Sequence, residues 1–281
     1  MFRTVFTFVS FIASNLVFAQ AGSTNVNLDS LENYKKQAFL ASKAVDRLSL
    51  FHIGIEATKA DKGYLVTAVL EDYPAFFAGI NRGDIIIQAN GSDFHPIESF
   101  NGPQLENYQL SLIRDGATIE STVTPIFENL FDSYRSAMIN SVQEFSAGNK
   151  VIGYIRLWAL SRSTSDLITY TTLMRDFNHC DGLILDLRNS QGFLDSKHLG
   201  ALTPNTAGTA YFGKSVVIII DSTTSEAAIE FAKTVKDLDR FVVLGEANGL
   251  QPEIEALYPF DQVSRGDPQF ETALNRLLGT I

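Results

Sequence analysis

The chain has 281 residues, 45% of them hydrophobic and 19% charged, a balance that fills apolar cores in about two domains and excludes wholesale disorder. Its net charge of −10 offers no basic footprint to a nucleic acid. One cysteine, and four histidines with no His-x-x-x-His pair, exclude an internal disulfide framework, a multi-cysteine zinc site and a helix-borne pair of histidine ligands.

Residues 1–20 read as a cleaved signal peptide. Arg3 supplies the positive start, Val5 to Phe18 is mostly apolar, and Val17 and Ala19 stand where a signal peptidase requires small residues. The run is short for a membrane span, no cysteine follows to carry a lipid, and no later stretch reaches the ~20 apolar residues of a spanning helix. The processed chain is therefore expected to be exported, periplasmic or extracellular, and to owe its stability to packing.

Residues 21–50 form an N-terminal helical segment. Leu28, Leu31, Ala38, Leu40, Val45 and Leu48 recur at helical spacing, with Asp29 or Ser30 as cap. Residues 51–126 are β-rich. Strand patterns run Tyr64 to Leu70, Asp84 to Ala89, Tyr108 to Arg114 and Ile119 to Pro125, with Asn90-Gly91 and Asp115-Gly116 as turns. Pro74 to Gly79 reads as one short helix with proline in its first turn.

Residues 127–149 read as a connecting helix ending at Ser146 to Asn149. From 150 to 281 apolar strands (151–157, 182–187, 215–220, 241–244) alternate with helices (165–177, 225–238) and a terminal helix begins at Asp267-Pro268. Continuous apolar strands between helices imply a largely parallel sheet covered on both faces.

Two sets of motifs carry a family resemblance. Gly54-Ile55, Val69, Pro74-Ala75, Ala78-Gly79-Ile80, Gly83-Asp84-Ile85-Ile86 and Asn90-Gly91 occur in order and resemble a PDZ domain of the bacterial protease type. Ile152 to Leu157, Asp181 to Asn189, the strand ending at Asp221, and Val243 to Glu246 resemble the core of the carboxyl-terminal processing (tail-specific) serine proteases. The fold this implies is α/β: an N-terminal helix, a PDZ-like β-rich domain and an α/β core of the crotonase/Clp-protease kind. The activity implied is that of a serine-type endopeptidase acting on protein or peptide C-termini captured by the PDZ domain.

PDZ domains add a peptide strand to a sheet edge and hold its carboxylate on backbone N–H groups. The resemblance places that nest at Phe51, Ile53, Gly54 and Ile55, with His52 beside it. In the core it implies Ser225 as nucleophile, at the start of a helix whose dipole and N–H groups favour an oxyanion. Thr223 occupies the nucleophile column under the commoner alignment, Ser222 is a third candidate, and helix capping is the alternative role for these hydroxyls. The oxyanion donors implied are the N–H groups of Gly192 and Glu226, with Phe193 where the family has a second glycine.

A serine nucleophile needs an adjacent base. The family's lysine would follow Gly245-Glu246, but no lysine follows Lys236. Lys233 lies two helical turns from Ser225, about 12 Å of rise. His52, with Glu246 as its acidic partner, is the remaining candidate; His198 reads as an exposed helix residue and Cys180 as a small buried one. No metal or organic cofactor is implied. The alternative is a degenerate homologue that binds peptides without cleaving them. The short segment after Glu246 also leaves a sheet edge that a homo-oligomer would cover.

Overall fold

The computed structural model describes residues 28–101, 106–161, 163–192, 196–204 and 211–280. The expected signal peptide at 1–20 and Phe193 lie outside the described residues. No described helix is long and apolar enough to cross a membrane.

Helix α1 (Leu31–Leu40) starts at Ser30, whose hydroxyl accepts from Asn33 N–H. It stops at Leu40 instead of reaching 50. Leu40, Val45 and Leu48 are 78%, 85% and 44% exposed, so their helical spacing meets no packing surface. A 3-10 turn at Ala44–Asp46 follows, and then strand β1 (Ser49–His52).

An antiparallel unit comes next. Its elements are β2 (Ile55–Ala60), β3 (Gly63–Val69), α2 (Pro74–Phe77), β4 (Ile85–Ala89), β5 (Ser92–Asp93), β6 (Tyr108–Arg114) and β7 (Ala117–Val123). The strand order is β2-β3-β4-β6-β7, with β5 on β4. Asn90-Gly91 and Asp115-Gly116 have positive φ at both residues (50° and 78°, 49° and 80°), the requirement of a two-residue hairpin turn whose twist matches the strands. Val66, Ile86, Leu110 and Leu112 are fully buried in its core. Strand β8 (Ile126–Asn129) returns to pair with β1, Phe51 opposite Phe127.

The connection to the second unit is not one helix over 127–149. Helix α3 spans Leu130–Asn140, and Gln143–Ala147 is strand β9, which folds back on β10 (Lys150–Arg156) through Gly148 at φ 63°. The remaining elements are β11 (Ala159–Leu160), α4 (Thr164–Asp176), β12 (Gly182–Asp186), β13 (Gln191–Gly192), α5 (Ser196–Leu199), β14 (Ser215–Ile220), α6 (Glu226–Val235), β15 (Phe241–Gly245), β16 (Ile254–Glu255) and α7 (Pro268–Thr280).

Six strands form the second sheet in the order β16-β15-β14-β12-β10-β9, parallel except for β9. Ala273 and Leu277 of α7 cover one face, against Ile152, Ile184, Val217 and Ile219. Residues of α3, α4 and α6 cover the other, with Leu183, Leu185, Ile218 and Val243. Burial on both faces is why these strands are continuously apolar. The result is a mixed α/β molecule with several sheets. A buried Asp186–Arg188 pair, bonded also to Tyr154, Asp267 and Gln269, ties α7 to the central strands.

Candidate active site

The carboxyl ends of β12, β14 and β15 open into three loops, the part of an open α/β sheet where ligands bind. The apolar run of β14 ends at Asp221, which is fully buried. Its carboxylate accepts from Thr223 N–H (2.9 Å) and from the Thr223 hydroxyl, and pairs with Arg82 of the antiparallel unit at 2.6 Å. Asp221 N–H donates to the Thr224 hydroxyl, and the Asn248 amide donates to the carbonyls of Asp221 and Thr224.

Ser225 sits at the N-cap of α6, where its Oγ accepts from Ala228 N–H at 3.4 Å. The same Oγ lies 3.3 Å from Ser190 Oγ. Thr223 Oγ1 accepts from Asn189 N–H at 3.1 Å, and Asn189 holds a left-handed φ of 57°. Arg156, its guanidinium carbon 3.8 Å from the centre of the Trp158 ring, donates to the Asn189 side chain at 3.0 Å. Three hydroxyls, from Ser190, Thr223 and Ser225, therefore gather between the 187–192 loop and the start of α6. Ser222 is exposed.

The other expected catalytic groups are not joined to this cluster by the hydrogen bonds of the described residues. Gly192 (φ 89°) lies in β13, paired with Leu160. Glu226 opens α6, so its N–H belongs to the first turn, whose donors have no intrahelical partner. Glu246 is half-buried; its carboxylate accepts from Tyr258 N–H at 3.5 Å, and its own N–H donates to the Ile220 carbonyl. Lys233 pairs with Glu230 along α6. His198, expected to be exposed, is 1% exposed and stands edge-on to Tyr170.

His52 does not fill the place of the base. It is 3% exposed and stacks on Tyr73. Nδ1 accepts from Gly54 N–H at 3.1 Å, so the proton of the neutral ring is on Nε2, which faces Ser133 Oγ at 3.1 Å. Ser133 in turn donates to Glu128, which also receives the Tyr73 hydroxyl. The order His–Ser–Glu runs opposite to a catalytic relay, in which the serine donates to the histidine. Burial pushes His52 down to about 4, which keeps it neutral.

The expected peptide-binding residues lie at the β1–β2 junction. Phe51 is half-buried against Phe127, while Ile53, Gly54 and Ile55 are buried. Gly54 has φ 79°, and a Cβ there would sit 2.3 Å from Tyr73 Cβ. Its N–H is already given to His52. Strand β2 that follows is an edge strand of its sheet.

The sequence assigned no role to Ser190, Asn189, Arg156, Asn248, Arg82 or Glu71, although Arg156 and Asn189 lie within the motifs that carry the resemblance. Glu71 carries no sequence signal: burial at the junction of the two units raises its carboxyl from 4.5 to about 7, Arg156 partly offsetting the rise, and it accepts from Trp158 Nε1–H.

No protein-family model matches this chain and no curated protein matches its sequence. Solved structures align with parts of it. The photosystem II D1 C-terminal processing protease aligns over 70% of this chain and 60% of its own, at 19% identity and a TM-score of 0.45. A Bacteroides fragilis protein assigned as an S41 protease aligns over 70% and 64%, at 19% identity and 0.48. The tricorn protease aligns over 83% of this chain and 29% of its own, at 15% identity and 0.44. The chain thus spans less than two thirds of the length of each of these proteins.

Proposed function

We propose that this chain is an exported homologue of the carboxyl-terminal processing serine peptidases that binds polypeptide C-termini without hydrolysing them. The observation that carries the second half of this reading is the set of partners of Ser225. Among the described residues its Oγ bonds only to Ala228 N–H and Ser190 Oγ, and neither is a base. A serine hydroxyl with no base to take its proton is a weak nucleophile. His52, the one histidine the sequence offered, is committed through both ring nitrogens elsewhere.

The family reading rests on the ordered motifs of the sequence. Export rests on the pattern of residues 1–20. Tail binding rests on the PDZ-like motif set and on the edge strand β2, which leaves one row of backbone donors and acceptors for an added strand. An active serine peptidase is the second reading. The Ser190–Ser225 contact at the positive end of α6 favours it, because that field stabilises a developing oxyanion.

The test is incubation of the purified chain, beside Ser225→Ala, with an unfolded protein substrate, together with binding of one peptide in free-acid and amidated forms. The expected result is no cleavage by either protein, and free-acid binding about tenfold or more tighter than amide binding, the scale of a charge-assisted hydrogen bond. Cleavage by the parent that disappears in Ser225→Ala would establish the peptidase reading instead. Equal binding of the two peptides would sink carboxylate capture.

A further inference from the structure

Strand β9 closes one edge of the parallel sheet, and the turn that leads into β12 lies beside it. Three side chains of different donor chemistry meet there: Glu144 on β9, His179 and Cys180 on the turn. Their ligand atoms all lie within 4.8 Å of one another. His179 Nε2 is 2.9 Å from Glu144 Oε1 and 3.7 Å from Cys180 Sγ.

The other ring nitrogen settles the protonation. His179 Nδ1 is 2.9 Å from the Asp176 carbonyl oxygen, which can only accept, so Nδ1 carries a proton and donates it. A neutral ring then turns the bare lone pair of Nε2 toward a carboxylate oxygen and a sulfur. Three potential ligand atoms of different chemistry thus face one another at one place on the surface.

We propose that Glu144, His179 and Cys180 bind one divalent metal ion of the zinc class, with water as the fourth ligand. The donor set excludes the hard cations, since magnesium and calcium take oxygen ligands, whereas sulfur, imidazole and one carboxylate suit zinc. The nitrogen–sulfur separation fits, and the 2.9 Å between His179 Nε2 and Glu144 Oε1, a direct hydrogen bond, has to open to ~3.3 Å around an ion. Tetrahedral bonds of about 2.3 Å to sulfur and about 2.0 Å to nitrogen place those two atoms ~3.6 Å apart, against the 3.7 Å found. The Nδ1–H bond to a backbone carbonyl is the outer contact that orients metal-bound histidines.

The turn is built to hold its position. Cys180 N–H donates to the Phe177 carbonyl, Lys214 donates to the carbonyls of Asn178 and Cys180, and Asp181 accepts from Val151 N–H. Glu144 and His179 are exposed and open a path for the ion, while Cys180 is buried. An ion here would tie the edge strand β9 to the start of β12.

The test is titration of the chelator-stripped full chain with Co(II) and then Zn(II), read by near-ultraviolet and visible absorption and by thermal melting. The expected result is one equivalent of Co(II), a thiolate-to-cobalt charge-transfer band that Zn(II) abolishes, no competition by Mg(II), and a higher melting temperature with Zn(II). Glu144→Gln and His179→Gln, both at exposed positions that preserve the fold, should each weaken Zn(II) about tenfold or more, the scale of lost ligand support. Cys180→Ser should remove the band. Absence of a charge-transfer band in the parent overturns the proposal, as does Zn(II) affinity unchanged in both exposed variants.

Discussion

His52 and Glu71 are two titratable side chains whose burial pulls in opposite directions. Burial lowers His52 to about 4 and raises Glu71 to about 7. The folded chain disfavours a charged His52, so its contribution to stability is complete above about 6.5 and is lost as pH falls through about 4. The folded chain also disfavours a charged Glu71, so that contribution is complete below 4.5 and is lost as pH rises through about 7. Each slope approaches about 1.4 kcal/mol per pH unit inside its window. Between about 4.5 and 6.5 they oppose one another. Glu71→Gln keeps an acceptor for Trp158 and should expose the His52 slope, so that stability falls from pH 6.5 to 5. His52→Gln should expose the Glu71 slope, so that stability rises over the same interval. Urea unfolding at several pH values reads both, and parallel curves for the parent and the two variants would refute the assignment.

At the scale of the element, the turn at the end of β14 shows how one short sequence serves two masters. Ser225 caps α6, yet the accepted bond is long at 3.4 Å. Ser225→Ala should therefore cost about 0.5–1 kcal/mol, the low end of capping losses. A larger loss in denaturant unfolding would mean that the Ser190 contact matters more than the cap. The β1–β2 junction is less forgiving. Gly54→Ala puts a Cβ 2.3 Å from Tyr73 Cβ at a φ of 79°. It should destabilise by more than about 1 kcal/mol, and an unchanged denaturation midpoint would show that Tyr73 moves freely.

At the scale of the whole molecule, the two sheet units share a buried apolar cluster, with Leu70, Tyr73 and Ile97 beside Trp158 and Leu185, and are joined by polar contacts as well. Arg82 pairs with the buried Asp221 and lies over Tyr258 and Phe260, and the Tyr258 hydroxyl donates to the Arg82 carbonyl. Asp115, at the tip of the β6–β7 hairpin, accepts from the N–H groups of Val263 and Ser264. Arg82→Ala leaves Asp221 buried without its cation, a change that costs about 3–5 kcal/mol where one partner of a buried pair is removed. Differential scanning calorimetry should show a lower melting temperature, with the two units no longer unfolding together. A single unshifted transition would mean that the pair does not couple them. The same interface places the antiparallel unit directly on the 221–225 turn.

The sequence by itself determined the elements whose signals are local. Ser215–Ile220 and Tyr108–Arg114 are strands with the bounds their patterns imply, Pro74 opens a short helix, and Pro268 opens the last one. Runs of apolar residues, turn dipeptides and proline act within a few residues, so no distant partner is needed to read them. The pattern failed where packing decides. Residues 41–50 have helical spacing but no surface to bury it on, and 143–147 become an edge strand because β10 is there to pair with. The candidate site was legible only in part. Ser225 could be named from its motif, whereas Gly192 and Glu246, named in the same way, are not bonded to it; that the Ser225 hydroxyl meets Ser190, and that His52 faces Ser133, depends on residues 35 and 81 positions apart in the chain. The convergence of Glu144 with His179 and Cys180 is of the same kind. Sheet register and burial bring such groups together, and neither is written in the spacing of the residues themselves.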